Sequence, residues 1–131
     1  MSITNREIYR NALALIGEHG GNGHIGDYEA RAPYLIASFC SQAKALDNNI
    51  RAAEKLGDQE NFSPVYLSLD SDFPLCEKLA ATAAIYVGSM AVIDEDPDLS
   101  DELYDRYCDS MATLSTLCGS VESISERYFY N

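Results

Sequence analysis

The residues able to do chemistry crowd into one stretch. Asp94, Glu95, Asp96, Asp98, Asp101, Glu102, Asp105 and Asp109 are answered only by Arg106 and supply eight of the chain's 21 acidic residues. Two chemistries could use such a run, cation binding and carboxylate acid–base catalysis. Asp94, Asp96 and Asp98 imitate the first three ligands of a D-x-D-x-D calcium loop. The imitation stops there. The fourth position is Pro97, the sixth is Leu99 where the sharp turn needs glycine, and the twelfth is Asp105 rather than a bidentate glutamate. Paired carboxylates such as Asp98/Asp101 and Asp101/Asp105 sit about one helical turn apart and read as a solvated face. The stretch predicts a surface for repulsion or assembly rather than a metal centre or an active site.

The other reactive groups are sparse. His19 and His24 flank a Gly/Asn run with Glu18 and Asp27 nearby, a set that does not complete a transition-metal site. The glycines of that run lack the lysine and hydroxyl of a phosphate-binding loop, and no strand precedes them. There is no G-x-S-x-G, no H-E-x-x-H and no Cys/His/Asn set, so no catalytic residue, cofactor or metal is expected. Cys40, Cys76, Cys108 and Cys118 show no C-x-x-C spacing and read as free thiols in a reducing compartment. Tyr128, Phe129 and Tyr130 form an aromatic tail that either contacts another protein or folds back on its own domain.

Composition bounds the function classes. With 131 residues and 47% hydrophobic content the chain is one domain able to bury a core. A net charge of -12 with nine Lys and Arg argues against gripping the phosphate backbone of nucleic acid. The opening MSITNREIYR has no basic region followed by an apolar core, so no signal peptide is expected, and no apolar run approaches the roughly 20 residues that span a bilayer.

Four helices must position these groups. The first begins at Thr4, which with Glu7 makes a T-x-x-E capping box, buries Ile8, Tyr9, Ala12, Leu13, Leu15 and Ile16, and stops at Gly17. A loop with five of the eight glycines follows, to Gly26. The second helix is predicted to start after Asp27 as N-cap and to run along Leu35, Ile36, Phe39, Cys40, Ala43, Leu46, Ile50, Ala53 and Leu56 to Gly57. Pro33 is expected either to kink it or to mark its true first turn. Asp58 to Asp72 read as a long irregular loop, with a short extended piece at Val65 to Leu69, that needs an external partner to order it. Asp72 is the predicted cap and Pro74 the first turn of the third helix, whose stripe is Leu75, Leu79, Ala83, Tyr86, Val87, Met90 and Ile93. Pro97 reads as a breaker. The fourth helix then starts at Asp98 or Ser100, carries Leu99, Leu103, Tyr107, Met111, Leu114 and Cys118, and ends at Gly119. The prediction is a single all-α domain over 1–131: a small bundle of four main helices with core 3–118, a long irregular loop between the second and third, and an extended C-terminal tail over 119–131.

The order of these elements resembles a known family. The first helix ending Ala12-Leu13-Ala14-Leu15-Ile16-Gly17, the long second helix, and Phe73-Pro74-Leu75 leading into Ala80-Ala81-Thr82-Ala83-Ala84-Ile85-Tyr86 are its first marks. With Leu103-Tyr104-Asp105-Arg106-Tyr107 after them, they are similar to the head–tail connector (adaptor or neck) proteins of tailed bacteriophages and prophages, over roughly residues 3 to 118. The resemblance implies a structural protein of the virion neck, present in the bacterial host cytoplasm during assembly. Such a protein forms a homo-oligomeric ring of about twelve subunits between the portal protein and the tail or neck proteins, and extends the DNA channel. It implies contacts to neighbouring subunits or rings through Asn61 to Asp70 and Val121 to Asn131. Their apolar residues are Phe62, Val65, Tyr66, Leu67, Leu69, Tyr128, Phe129 and Tyr130. The acidic stretch would then keep a DNA conduit free of phosphate binding. The competing expectation is a small acidic helical binding or regulatory module that docks a basic partner. Neither expectation calls for specific nucleic-acid binding or a membrane.

Overall fold

Thr4 opens the molecule as the sequence predicts: its hydroxyl accepts the Glu7 N–H at 3.3 Å, satisfying one of the donors that a helix start leaves unpaired. The computed structural model describes residues 2–17, 19, 25–57 and 62–118. Among them the architecture is all-α. Helix α1 spans Asn5–Leu15, α2 Ile25–Ala53, α3 Ala80–Ala91 and α4 Pro97–Cys118, with a short 3-10 turn at Glu77–Leu79 leading into α3. Gly17 follows α1 with φ of +59°, a left-handed conformation that glycine adopts without a Cβ penalty.

Helix α3 is the centre of the bundle and packs against α1, α2 and α4. Its composition explains this position. Thr82, Ala83, Ala84, Tyr86, Val87, Gly88, Ser89 and Ala91 are all buried, so the helix has little outer face and mostly small side chains. At Gly88 a Cβ would already lie 3.4 Å from Ile16, 3.5 Å from the Ala12 carbonyl oxygen and 3.6 Å from Leu103. Any larger side chain there must push α1 or α4 outward. Two buried serines join α3 to α4 reciprocally: the Ser89 hydroxyl donates to the Ser100 carbonyl and the Ser100 hydroxyl to the Ser89 carbonyl, each at 2.8 Å. Burying these hydroxyls unpaired would cost about 1–3 kcal/mol apiece, so the pair makes close helix approach affordable. At this same C-terminal end of α3, Arg31 from α2 donates to the Met90 and Ala91 carbonyls at 3.1 and 3.3 Å, capping the helix with a positive charge where its dipole favours one.

Several boundaries differ from expectation, each for a local reason. Helix α2 begins at Ile25, so Asp27 lies in its first turn instead of capping it, and the helix runs through Pro33 without a break. The Pro33 carbonyl accepts the Leu67 N–H at 3.2 Å, which ties the loop to α2 beside the proline. The helix ends four residues before Gly57: Lys55 takes the left-handed turn at φ of 61°, while Leu56 and Lys55 donate back to the Arg51 and Ala52 carbonyls. Leu56 consequently lies in solvent. Asp72 does not cap α3, which starts eight residues later; instead it pairs in a β-bridge with Thr4, and Phe73 N–H donates to the Ile3 carbonyl at 2.7 Å. Pro97 is not a breaker but the first residue of α4, where its missing N–H removes nothing. Ile93, assigned to the buried stripe, is exposed in the turn after α3.

The segment 62–76 is held by its own chain rather than awaiting a partner. Asn5 and Arg6 N–H donate to the Ser71 and Leu69 carbonyls, each at 2.9 Å, and the Asn5 side chain donates to the Ser68 carbonyl at 2.8 Å. Farther along, Asp47 on α2 holds the chain just ahead of the 3-10 turn. Its side chain is fully buried; one oxygen accepts the Cys76 N–H at 2.8 Å and the other accepts from Arg51 at 2.7 Å, while Arg51 also reaches the Pro74 carbonyl at 3.1 Å. A buried carboxylate is tolerable only when its lone pairs are filled in this way.

Candidate interaction surface

The acidic stretch divides into one working residue and a solvated remainder. Asp96 is the N-cap of α4: one carboxylate oxygen accepts the Leu99 N–H at 3.1 Å and the other meets His19 Nε2 at 3.1 Å. The Leu99 hydrogen bond first, then the one from His19, hold the Asp96 carboxyl below its ordinary value. His19 is thereby placed as a brace between the first loop and α4; His24 and Glu18 lie outside the described residues. Asp94, Glu95, Asp98, Asp101, Glu102, Asp105 and Asp109 are exposed. Among the described residues no three His, Cys, Asp or Glu side chains group so as to hold a metal ion.

The polar groups buried between helices are arranged for support. Tyr107 on α4 donates to Gln42 Oε1 at 3.0 Å, Gln42 Nε2 donates to the Tyr86 hydroxyl at 3.0 Å, and Ser38 sits 3.0 Å from that hydroxyl. Phe39, Tyr86 and Tyr107 pack around this network with ring centroids 5.1 to 6.1 Å apart. Burial pushes the Tyr107 phenol up to about 12, so it remains a hydrogen-bond donor at neutral pH instead of a base. Burial likewise raises the Cys40 thiol to about 12 and, with Asp47 beside it, the Cys76 thiol to about 11, far from the thiolate needed for nucleophilic chemistry.

The contact residues expected in the loop fall into two groups. Leu69 is buried in the chain's own core, and Phe62 and Leu67 are half-buried against it. Val65 and Tyr66 point outward, 77% and 55% exposed, and Tyr66 meets the 54% exposed Tyr34 of α2 edge to face at 5.1 Å between ring centroids. Tyr34 is absent from the sequence expectation because its partner is 32 positions away; the signal was a large aromatic on the outward side of an otherwise well-buried helix. Beneath Tyr66 lies a cleft of about 240 Å³ bounded by Pro33, Leu69, Arg6, Glu29 and Asp70. Tyr128, Phe129 and Tyr130 lie outside the described residues. Among the described residues no helix is long and apolar enough to cross a membrane. Comparison of the chain with protein-family models, with curated proteins and with solved structures gave no match.

Proposed function

We propose that the chain is a structural assembly subunit, a head–tail connector protein that closes into a ring between portal and tail and extends the DNA channel. The observation that carries this reading is the outward patch of Tyr34, Val65 and Tyr66 on an acidic helical body. Three large apolar side chains held in solvent by an ordered backbone suit a protein–protein contact, where tyrosines are enriched. The order of the helices supports the same reading through its resemblance to connector proteins. The exposed carboxylates of 94–109 suit a surface past which DNA slides, because like charges deny phosphates a foothold.

Native mass spectrometry and electron microscopy of the purified chain, alone and mixed with a portal protein from the same genome, test the proposal. The expected result is a closed ring whose formation is abolished by Val65→Asp together with Tyr66→Asp while helical content is unchanged. A chain that stays monomeric in both settings overturns it.

A further inference from the structure

We propose that the charge-free end of α4 is the surface on which the Tyr34–Val65–Tyr66 patch of a second copy of this chain docks. Along residues 98–109 that helix carries Asp98, Asp101, Glu102, Asp105, Arg106 and Asp109, whereas Ser110 to Leu117 hold no charge at all. Burial does not explain the change. Ala112, Thr113, Ser115, Thr116 and Leu117 are exposed, Leu117 by 70%, and Met111 and Leu114 are only half-buried. The outer face of a surface helix ordinarily carries charged and polar side chains that keep it in water. Here the Thr116 hydroxyl donates to the Ala112 carbonyl at 3.0 Å, so part of the remaining polarity is engaged by the helix's own backbone. A hollow of about 260 Å³ runs along Ala112, Thr113, Thr116 and Leu117.

The two apolar surfaces stand at opposite ends of the bundle. Arg31 meets Met90 and Ala91, and Ser38 meets Tyr86, so Tyr34 lies level with the last turns of α3. Ser89 pairs with Ser100 and Thr82 with Ser110, so α4 runs antiparallel to α3 and residues 110–117 lie beside and beyond its start. About 20 Å of helix separates the two levels. When two different patches of identical chains fit each other, the contact is head to tail, and it closes into a ring where the rotation between copies allows.

Charge selects the occupant. Around Tyr66, Arg6 stands with Glu29 and Asp70, one positive charge against two negative, and the two carboxylate side chains are 50% and 82% exposed. Patch against identical patch would set two such clusters face to face, on chains that each carry -12. Patch against residues 110–117 meets no charge. A basic partner finds nothing to pair with on those turns either, which favours a second copy over a cationic protein. The inference rests on the assembly reading, which supplies the Tyr34–Val65–Tyr66 patch as a contact, and adds the surface that receives it.

The test is disulfide trapping in the full chain, with Cys108→Ser and Cys118→Ser as background. One chain carries Val65→Cys and a second, ¹⁵N-labelled, carries Thr113→Cys, both at exposed positions where folding is not at stake. The two are mixed, assembled alone and with the portal protein, and oxidised, and the linked peptides are read by mass spectrometry. The expected product joins position 65 of one chain to position 113 of the other, in about tenfold excess or more over 65–65 and 113–113 links. Leu117→Asp in the otherwise native chain should lower the ring fraction about tenfold or more with helical content unchanged, because it sets a carboxylate in the contact. Predominant 65–65 or 113–113 links in a formed ring overturn this inference and leave the assembly reading standing. So does a formed ring with no link, as when residues 119–131 of the same chain cover the hollow, or a ring that Leu117→Asp leaves intact. A chain that forms no ring in either setting overturns both readings.

Discussion

Asp47 and the run Asp94 to Asp109 contain the same carboxylate chemistry put to opposite uses. Asp47 has no solvent contact, and its two oxygens are filled by Arg51 and the Cys76 N–H. Seven of the eight acids in the run stand in water, while Asp96 has fixed partners in the Leu99 N–H and His19. What separates them is desolvation. A carboxylate taken out of water must be wholly compensated, and once compensated it becomes structural because removing it strands its partners. An acid left in water contributes long-range charge and little else. The acidic character of the chain therefore says much about what it repels, and one acid outside the conspicuous cluster says more about how it is held together.

The sharpest way to break this contrast is Asp47→Ala. It leaves a half-buried guanidinium and a buried N–H without their acceptor, and the expected loss is about 3 kcal/mol or more in urea unfolding. Retention of full stability would show that the clamp is incidental. Next comes Asp96→Asn, with a smaller loss set by the helix start and the His19 contact. Its pH dependence has a definite sign. The Asp96 carboxyl is lowered from 3.8, so its contribution is present above that value and disappears as pH falls through the lower folded one. The gap in melting temperature between wild type and Asp96→Asn should hold near pH 6 and close on acidification below about 4. At the small end, Asp101→Asn, Asp105→Asn and Asp109→Asn should each change stability by less than about 0.5 kcal/mol, with any gain vanishing in high salt. A loss comparable to Asp47→Ala would mean that the run is structural after all. As a local reporter, Cys76 should alkylate more slowly than exposed Cys108 in the native chain, and Asp47→Ala should narrow that gap, read by peptide mass spectrometry.

Local signals in the sequence reached as far as local physics does. Thr4 and Gly17 bound the first helix because a hydroxyl cap and a left-handed glycine act within one turn of where they stand. Pro97 read as a breaker because proline ends helices, but it also starts them; Asp96 just before it, placed to cap, was the residue that decided the matter. Asp72 has the chemistry of a cap but was recruited by Thr4, 68 positions earlier, which no window of neighbouring residues can reveal. Asp47 left a readable trace. It shares the face of Ala43, Leu46 and Ile50, and an acid on a buried helical stripe implies a partner nearby, here Arg51 one turn on. The Tyr34–Tyr66 contact and the cleft below it join residues from α1, α2 and the loop, so their assembly depends on packing and not on pattern.

The pairing of residues 3–6 with 68–73 carries a kinetic consequence. A bundle of helices usually folds through contacts between near neighbours in the chain, and quickly. Here the Asn5 side chain bonds the Ser68 carbonyl across 63 positions, so the opening turn of α1 can dock only after α2 and the following loop have come round to meet it. Closing a loop of that length costs about 4 kcal/mol of chain entropy before those bonds form. The protein is helical in content but is sealed by a stitch of extended backbone, and the slowest step in its refolding is expected to be the closing of that stitch.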